Sequence, residues 1–409
     1  MKKILVILCS PLFLFSQEIK HKITWESNFI LESNSLDRSF LNSMLYGGYI
    51  TDNMKSKWID SGDKNNIIYA EIRNGLSYNY NFKKQSIGFS LADINSLNAS
   101  FTDDLLSIGF KGNFYNQDKT LDFAGTSLRS DRFQQYKIKY GTAINNINLD
   151  IAFSYLAGNH HISYIIEKGS LYTAPFGTYL DVEYDMKAFV TDTSNFSVFA
   201  NNGNGAAIDF SADFNIQEYK MQLSVSDLGF IMWNPSSITL ASDSTFSFQG
   251  IEVEDVFNFN DSVLDANNII DDEPQTNTRS FKSYIPATIH FSFIAETEYT
   301  YFKTYTAGFI AKWQPYMDNK LLSLAKINQG FRESNFTPLY YIHSVLNAKY
   351  YDIIPTLSYG GYSNDMNIGL AISRGQKNKF VIGTHQLEDA FKVKESKAAS
   401  IYFSLTKYF

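Results

Sequence analysis

The chain has 409 residues, of which 44% are hydrophobic, 16% are aromatic and 19% are charged, and its formal net charge is −7. The acidic balance argues against a nucleic-acid partner, which would need a basic surface. After the first residues no apolar run approaches the roughly 18 residues of a membrane-spanning helix, which excludes insertion through helices. An aromatic-rich chain with few charges is instead typical of an all-β transmembrane barrel with aromatic girdles.

Residues 1–16 have the pattern of a secretory signal peptide. A basic pair precedes an apolar stretch that ends at Phe15, and Ser16 offers a small residue for cleavage. Cys9 is a poor lipidation site, because Leu8 is not the small residue that a lipobox needs. We therefore predict export, and a mature chain without disulfides because its only cysteine departs with the signal.

The next segment, residues 17–66, is predicted to stand apart from the barrel. Within it, Ser35 to Ile50 follows a helical pattern and stops at a glycine pair. The apolar face holds Leu36, Phe40, Leu41, Met44 and Leu45. Two placements fit this short helix: a plug inside the barrel, or a periplasmic helix packed against the rim.

From residue 67 to residue 409 the dominant pattern is two-residue alternation, in segments of about ten residues that suit a tilted strand crossing a bilayer. Only Gln217 and Glu218 separate two of the clearest segments, which predicts a hairpin. The clearest segments are 147–155, 180–190, 206–216 and 219–226. Further candidates are 68–82, 87–91, 106–114, 136–140, 162–166, 287–295, 301–313, 340–350, 353–361, 368–372 and 380–384.

A soluble β-sandwich or propeller also alternates and is the main competing fold. Sandwich strands are short and closely punctuated by Gly and Pro, whereas these segments are long and the chain has only 8 prolines. The apolar faces also end repeatedly in an interfacial ring, at Tyr301, Trp313, Tyr340 and Tyr350. We therefore predict an antiparallel transmembrane barrel of about 14 strands, within roughly 12 to 16.

The last segment, Ser400 to Phe409, is the terminal strand. Its apolar side holds Ile401, Phe403, Leu405 and Phe409. A terminal aromatic strand of this kind resembles the signal by which barrel-assembly machinery recognises outer-membrane proteins. Lys407 interrupts the apolar side, and we place it at the periplasmic rim, where an ammonium group reaches water.

An acidic loop is predicted at residues 250–278. Its carboxylates are Glu252, Glu254, Asp255, Asp261, Asp265, Asp271, Asp272 and Glu273. Carboxylates at this density suit Ca²⁺, but their spacing does not match the helix–loop–helix calcium motif. A solvated acidic loop is the preferred interpretation. We predict no metal and no cofactor.

Few residues suggest catalysis. His290 and Ser292 resemble the His-x-Ser pair of outer-membrane phospholipases, but alternation turns them toward the lumen and away from lipid. His160 and His161 are adjacent, so they point to opposite faces of a strand and do not readily share a metal. No other catalytic motif is visible, and we predict that the protein is not an enzyme.

Three features carry a family resemblance. The run Ser226 to Trp233, together with Phe40 to Ile50 and the C-terminal hairpins, resembles a family of outer-membrane barrels from Bacteroidota that is catalogued as a domain of unknown function. That family is distantly similar to long-chain fatty-acid transporter barrels, and the resemblance implies 14 strands and an N-terminal plug. We interpret Trp233 as an interfacial anchor in a periplasmic turn.

Two functions remain open for this predicted outer-membrane protein, whose partners would be the lipid bilayer and the assembly machinery. The first is passive transport of small or hydrophobic solutes through a porin-like lumen. Its lumen would prefer cations if five carboxylates face inward: Asp181, Glu183, Asp185, Asp209 and Asp213. The second is a scaffold that anchors a periplasmic or surface complex, such as a secretion or motility complex.

Overall fold

The computed structural model describes residues 20–62, 64–192, 194–195, 197–248, 275–297, 299, 301–314, 335–387 and 397–409. The predicted signal peptide, and all of the carboxylates named for the acidic loop, lie outside these residues. The last four residues of that loop, 275–278, form a strand.

The described chain contains three α-helices and nineteen strands. The helices are α1 (Arg38–Tyr46), α2 (Asp52–Asp60) and α3 (Asp103–Tyr115). The strands are β1 (His21–Ser33), β2 (Asn66–Phe82), β3 (Gln85–Phe101), β4 (Lys119–Asp122), β5 (Ser127–Ile144), β6 (Ile147–Thr173), β7 (Leu180–Val190), β8 (Gly203–Ile216), β9 (Tyr219–Trp233), β10 (Ile238–Phe248), β11 (Gln275–Thr278), β12 (Lys282–Tyr284), β13 (Ala287–Glu296), β14 (Phe302–Trp313), β15 (Thr337–Ala348), β16 (Tyr351–Gly361), β17 (Asp365–Arg374), β18 (Asn378–Thr384) and β19 (Ala398–Tyr408).

Fourteen of these strands form a closed antiparallel barrel, in the order β1, β2, β3, β5, β6, β8, β9 and then β13 to β19. The last strand closes the barrel by pairing with the first, from Lys22 opposite Tyr408 to Glu32 opposite Ala398. Closure leaves no open edge in the wall, so every strand is paired on both sides. The predicted fold and strand count are confirmed.

Short turns gather at one end of the barrel, together with the start of β1 and the end of β19. Four of these turns have two residues, and each begins with a left-handed backbone at Lys83, Asn145, Gln217 or Lys349. A positive φ at this position suits the right-handed twist of a hairpin. The predicted hairpin at Gln217 and Glu218 is confirmed. We call this the short-turn end and the opposite one the long-loop end.

The barrel strands alternate between the two faces of the wall. In β3, the side chains of Ile87, Phe89 and Leu91 are exposed on the outside, whereas Ala92 and Ile94 are buried in the lumen. In β6 the predicted alternation holds, with Ile151, Phe153 and Tyr155 outside. The outer belt is thus apolar and aromatic, as contact with a lipid bilayer requires. No helix in the described ranges is long and apolar enough to span a membrane.

The predicted start of the barrel at residue 67 is wrong, because β1 within the predicted N-terminal segment is a full barrel strand paired with both β19 and β2. The short helix follows β1 as α1 and lies at the long-loop end. Asp37 caps it by accepting a hydrogen bond from the Phe40 N–H.

The three helices pack on the outside of the wall, so α1 is not a plug inside the barrel. Their apolar cluster contains Leu36, Phe40, Leu41, Trp58, Phe101 and Leu106. It rests on Leu31, Ile68 and Ala99, which lie on the outward face of β1, β2 and β3. The ring centroids of Phe40 and Trp58 are 4.6 Å apart, so aromatic burial holds the bundle to the barrel.

Two predicted barrel strands have other structures. Residues 106–114 belong to α3, because Thr102 accepts a hydrogen bond from the Leu105 N–H and Asp103 and Asp104 occupy the first turn, where acidic groups favour a helix. Residues 180–190 form β7, which pairs with β10 and with the C-terminal part of the 27-residue β6, from Ile162 to Thr173. This sheet projects beyond the barrel at the long-loop end.

Candidate functional site: the lumen

An ion-pair network crosses the lumen between β2 and β9. Gln135 Nε2 donates a hydrogen bond to Asp227 Oδ1 over 2.7 Å, and Arg73 Nη1 lies 3.5 Å from Asp227 Oδ2. Lys137 Nζ pairs with Asp209 and lies 3.4 Å from Asp227 Oδ1. Two cations therefore share two carboxylates, which compensates part of the cost of burying four charges.

Asp227 reaches this network through a β-bulge. The register between β8 and β9 shifts between Ile208 and Phe210, and Asp227 has a φ of +61°. Its backbone N–H donates a hydrogen bond to Asp209 Oδ1 over 2.8 Å. The extra residue of a bulge shifts the alternation of the side chains that follow it. Asp227 therefore faces the lumen, as Ser224 does, although the two are an odd number of residues apart.

The motif from Ser226 to Trp233 thus builds the lumen wall. Gly229 passes so close to the Ala206 carbonyl oxygen that a side chain would overlap it. Ile231 and Trp233 follow on the inward face, where both are fully buried. The predicted role of Trp233 as an interfacial anchor is wrong, because alternation after the bulge turns its ring inward at the long-loop end.

Trp233 fits the lumen because two glycines make room for it. A Cβ on Gly158 would lie 2.6 Å from Trp233 Cζ3, and one on Gly203 would lie 2.7 Å from Trp233 Cε3. The indole Nε1 donates a hydrogen bond to Ser283 Oγ over 2.8 Å. Around it, an apolar cluster fills this half of the lumen with Ala92, Ile94, Phe133, Leu156, Ala207, Ile231, Phe281 and Ile285.

A second buried polar group lies beside this cluster. Arg129 Nε donates to Asp131 Oδ2 over 2.5 Å, and His161 Nδ1 lies 2.7 Å from Asp131 Oδ1. Arg129 Nη2 also donates to the Tyr284 carbonyl on β12. The guanidinium therefore ties β5 to β12 across the lumen. His161 is fully buried and its neighbour His160 is partly exposed, in accord with the predicted opposite faces.

Lys312 on β14 forms the third contact across the lumen. Its Nζ donates a hydrogen bond to Tyr69 Oη on β2 over 3.2 Å and lies 4.6 Å from the Tyr69 ring centroid. The Tyr362 ring stacks on Tyr69 at 3.8 Å, and Lys312 Nζ is 5.1 Å from its centroid. We call Lys312, Tyr69, Tyr362, Glu71 and Glu32 the Lys312 cluster.

The two carboxylates of the Lys312 cluster are bound by neighbouring groups. Tyr69 Oη donates to Glu71 Oε2 over 2.6 Å. Glu32 accepts hydrogen bonds from the Tyr362 N–H at 3.0 Å and from Gln386 Nε2 at 3.1 Å. The cluster therefore joins β1, β2 and β14 to the connections that follow β16 and β18, and it draws opposite sides of the barrel together.

On the short-turn side of these contacts lies a cavity of about 250 Å³, which we call the polar cavity because most of its lining residues are polar or charged. Its lining includes Lys22, Thr24, Glu26, Ser77, Asn79, Lys139, Asp150, Asp213 and Gln222. The Lys137–Asp209 pair borders it. The lumen is thus a polar cavity near one end and a packed interior near the other.

The predicted cation-preferring lumen is only partly supported by the positions of its carboxylates. Asp209 and Asp213 face inward, but each pairs with a lysine: Asp209 with Lys137, and Asp213 with Lys220 at 3.0 Å. The other three carboxylates, at 181, 183 and 185, lie on β7 beyond the barrel. Neither the two inward carboxylates nor the three on β7 supply a ring of uncompensated negative charge in the lumen.

His290 and Ser292 face the lumen, as alternation predicts, and both are buried. His290 Nε2 lies 2.7 Å from Tyr341 Oη, and Ser292 Oγ donates to Gln222 Oε1 over 3.3 Å. The pair belongs to the hydrogen-bonded lining of the lumen. Within the described ranges no group of three or more His, Cys, Asp or Glu is placed to hold a metal ion.

Comparison with known proteins gives a family and several similar structures. The TodX deltaS2S3 mutant monoaromatic hydrocarbon channel has a TM-score of 0.49 at 6% identity, covering 99% of this chain and 94% of that one. The Ralstonia pickettii toluene transporter TbuX has a TM-score of 0.44 at 6% identity, covering 99% and 93%. A Pseudomonas aeruginosa FadL homologue has a TM-score of 0.44 at 7% identity, covering 95% and 89%.

No curated protein matches the sequence. The model of a family described as "Family of unknown function (DUF5723)" matches residues 26–384, which include every barrel strand from β2 to β18 and most of β1. The chain belongs to this family of unknown function.

Proposed function

We propose that the protein is an outer-membrane channel for the passive transport of small or hydrophobic solutes, held closed by side-chain contacts across its lumen. The observation that carries the proposal is the contact between Lys312 and Tyr69, which joins opposite walls of a closed barrel whose other half contains a polar cavity. Side-chain contacts of this kind can separate without unfolding any strand, because the wall is held by its own backbone hydrogen bonds.

The orientation follows from the two ends. Short turns face the periplasm and longer loops face the exterior in outer-membrane barrels. The polar cavity then faces the periplasm and the Lys312 cluster faces the exterior. This orientation is consistent with export by the predicted signal peptide and with recognition of β19 by the assembly machinery. We assign the channel no catalytic residue and no cofactor.

Liposome assays with the purified barrel test the proposal. Uptake of small polar solutes and of an apolar dye is measured for the native protein and for Lys312→Ala. We expect slow uptake of at least one probe by the native protein and faster uptake by the variant. A barrel that stays sealed to both probes in both forms would refute a transport function.

The scaffold function is favoured by a different observation. Three phenylalanine side chains at the long-loop end are almost fully exposed: Phe114 at 83%, Phe176 at 91% and Phe199 at 84%. Phe176 also has a φ of +60°, which is strained for a bulky residue and is held by its N–H bond to Gln117 Oε1. Crosslinking in whole cells checks this alternative: a reproducible protein neighbour that is lost in Phe114→Ser/Phe176→Ser supports it.

A further inference from the structure

A shallow apolar groove of about 590 Å³ marks the outer surface of the barrel wall. It lies across β13 to β17, and its lining is almost entirely apolar. The residues that define it are Phe293, Ala307, Ile342, Ser344, Pro355 and Leu357. Its volume falls within the roughly 300–1,000 Å³ of typical small-molecule sites.

The groove lies where small and large side chains alternate from strand to strand. Ala295, Tyr305 and Ser344 are successive partners in the register from β13 to β15, and Ala307 lies two residues along β14. Small groups on three neighbouring strands leave a depression between larger ones. Tyr305 and Phe293 form one flank of it.

Pro355 coincides with a gap in the pairing of β15 with β16, although it still pairs with Leu370 of β17. The described pairs between β15 and β16 run from Tyr340–Tyr359 to His343–Thr356 and resume at Leu346–Ile353. No pair is formed where Ser344 faces Pro355 or where Val345 faces Ile354, and proline has no N–H to donate to this ladder. A proline inside a barrel strand weakens the wall, so its position at the floor of the groove is consistent with a role in shaping it.

The side chains around the groove show that it opens toward the bilayer. Ile342, Leu357 and Ile368 flank it, and all three are exposed on the outward face of the wall. They lie in the apolar belt that contacts the hydrocarbon of the bilayer. The groove is therefore presented to lipid and not to the lumen.

Two lysines stand between the groove and the short-turn end. Lys303 lies two residues before Tyr305 on β14, about 7 Å along the strand. Lys349 occupies the turn between β15 and β16. Lys303 is partly exposed and pairs with Asp352 at 2.6 Å. A phosphate group near this rim would meet the ammonium group of Lys349 and would share that of Lys303 with Asp352, while its acyl chains point toward the groove.

We propose that the groove is a binding site for one acyl chain of a phospholipid from the leaflet at the short-turn end, with the phosphate of its headgroup beside Lys303 and Lys349. Apolar lining, a position within the lipid-facing belt and basic groups at the nearer rim together match this one occupant. The site is separate from the lumen and does not depend on transport.

Native mass spectrometry of the purified barrel tests the site, with phosphatidylethanolamine as the added probe. Ala307→Trp fills the groove, and Ala206→Trp is the matched control, since Ala206 is an exposed alanine on the outward face of β8. We expect the native protein and Ala206→Trp to retain one lipid, and Ala307→Trp to bind it about tenfold more weakly. Lys303→Gln/Lys349→Gln should weaken binding less than Ala307→Trp does.

Equal lipid retention by Ala307→Trp and Ala206→Trp would overturn the proposal. It would also be overturned if the native protein carries no bound lipid and forms a dimer that Ala307→Trp dissociates, because the groove would then be an interface between two copies. Circular dichroism of each variant confirms that the barrel has folded. Solute uptake is measured separately, so a failed transport hypothesis leaves this test intact.

Discussion

Lys312 on β14 donates a hydrogen bond to Tyr69 on β2 over 3.2 Å, although these strands are the ninth and the second of fourteen in the barrel. The two residues therefore lie on opposite walls. Their contact spans the lumen at that level, and the ring of Tyr362 stacks on Tyr69 beside it.

Lys312→Ala should raise ion conductance through the barrel. The substitution removes the hydrogen bond and the cation–π contacts that join the two walls, and it leaves Glu71 and Glu32 without that cation. Single-channel recording in planar bilayers measures the fraction of time spent open. Lys303→Ala is the control, because it removes a lysine from the short-turn rim. Identical open fractions for both variants would argue against a closing role for Lys312.

Asp227→Asn should destabilise the barrel by roughly 3–5 kcal/mol, as expected when one partner of a buried ion-pair network is removed. Arg73 and Lys137 would lose a shared carboxylate, while the amide preserves the size of the side chain. Urea unfolding in detergent, followed by circular dichroism, gives the free energy of unfolding. Asp365→Asn, at an exposed position on β17, serves as the control and should change it little.

Gly158→Ala should destabilise the barrel by about 1–3 kcal/mol, the usual cost of overpacking a filled core. The new methyl group would lie 2.6 Å from Trp233 Cζ3. Adding Trp233→Phe should recover part of the loss, because the smaller ring vacates that space. Thermal unfolding of the two single variants and the double variant measures the coupling. Strictly additive effects would show that the glycine is not there to accommodate the indole.

The helical bundle should loosen in acid through Asp37. Burial raises the pKa of Asp37, but the hydrogen bonds from Lys57, Ser39 and the Phe40 N–H outweigh it and hold the pKa below its ordinary value. A lowered pKa in the folded state stabilises the bundle above the unfolded value of about 3.9 and loses that effect as the pH falls through the folded value.

Hydrogen exchange of α1 from pH 2 to pH 6, corrected for the pH dependence of the intrinsic exchange rate, measures this effect. Asp37→Asn should flatten the pH dependence, whereas Asp52→Asn should not, since Asp52 forms an exposed pair with Lys55 within one helix. If Asp37→Asn keeps the pH dependence of the native protein, the titrating group is not Asp37.

The two-residue alternation predicted the barrel because, within each strand, it shows which side chains face lipid and which face the lumen. The same alternation is visible in β1, where Ile23, Trp25 and Phe29 lie outside, so its place in the wall is predictable from the sequence. In contrast, β7 alternates because it is half-exposed in a projecting sheet. A two-residue period reports a two-sided strand and does not say that the strand crosses a membrane.

The lumen was much harder to predict, because its partners are distant in sequence. Arg73, Gln135, Asp209 and Asp227 come from four strands and share no local pattern. The inward turn of Trp233 depends on the bulge at Asp227, which shifts the phase by one residue. The position of the helices on the outer wall could not be predicted, because apolar periodicity shows that a helix buries one face but not which surface that face packs on.

The pairing of β19 with β1 also determines when this protein can be completed. Without the eleven residues of β19, β1 and β18 would each present an unpaired strand edge, so the wall cannot close before β19 has been made. Nothing made earlier in the chain can substitute for that last strand. The closed wall therefore depends on β19, and a chain that lacks this strand would present two strand edges that can pair with other chains.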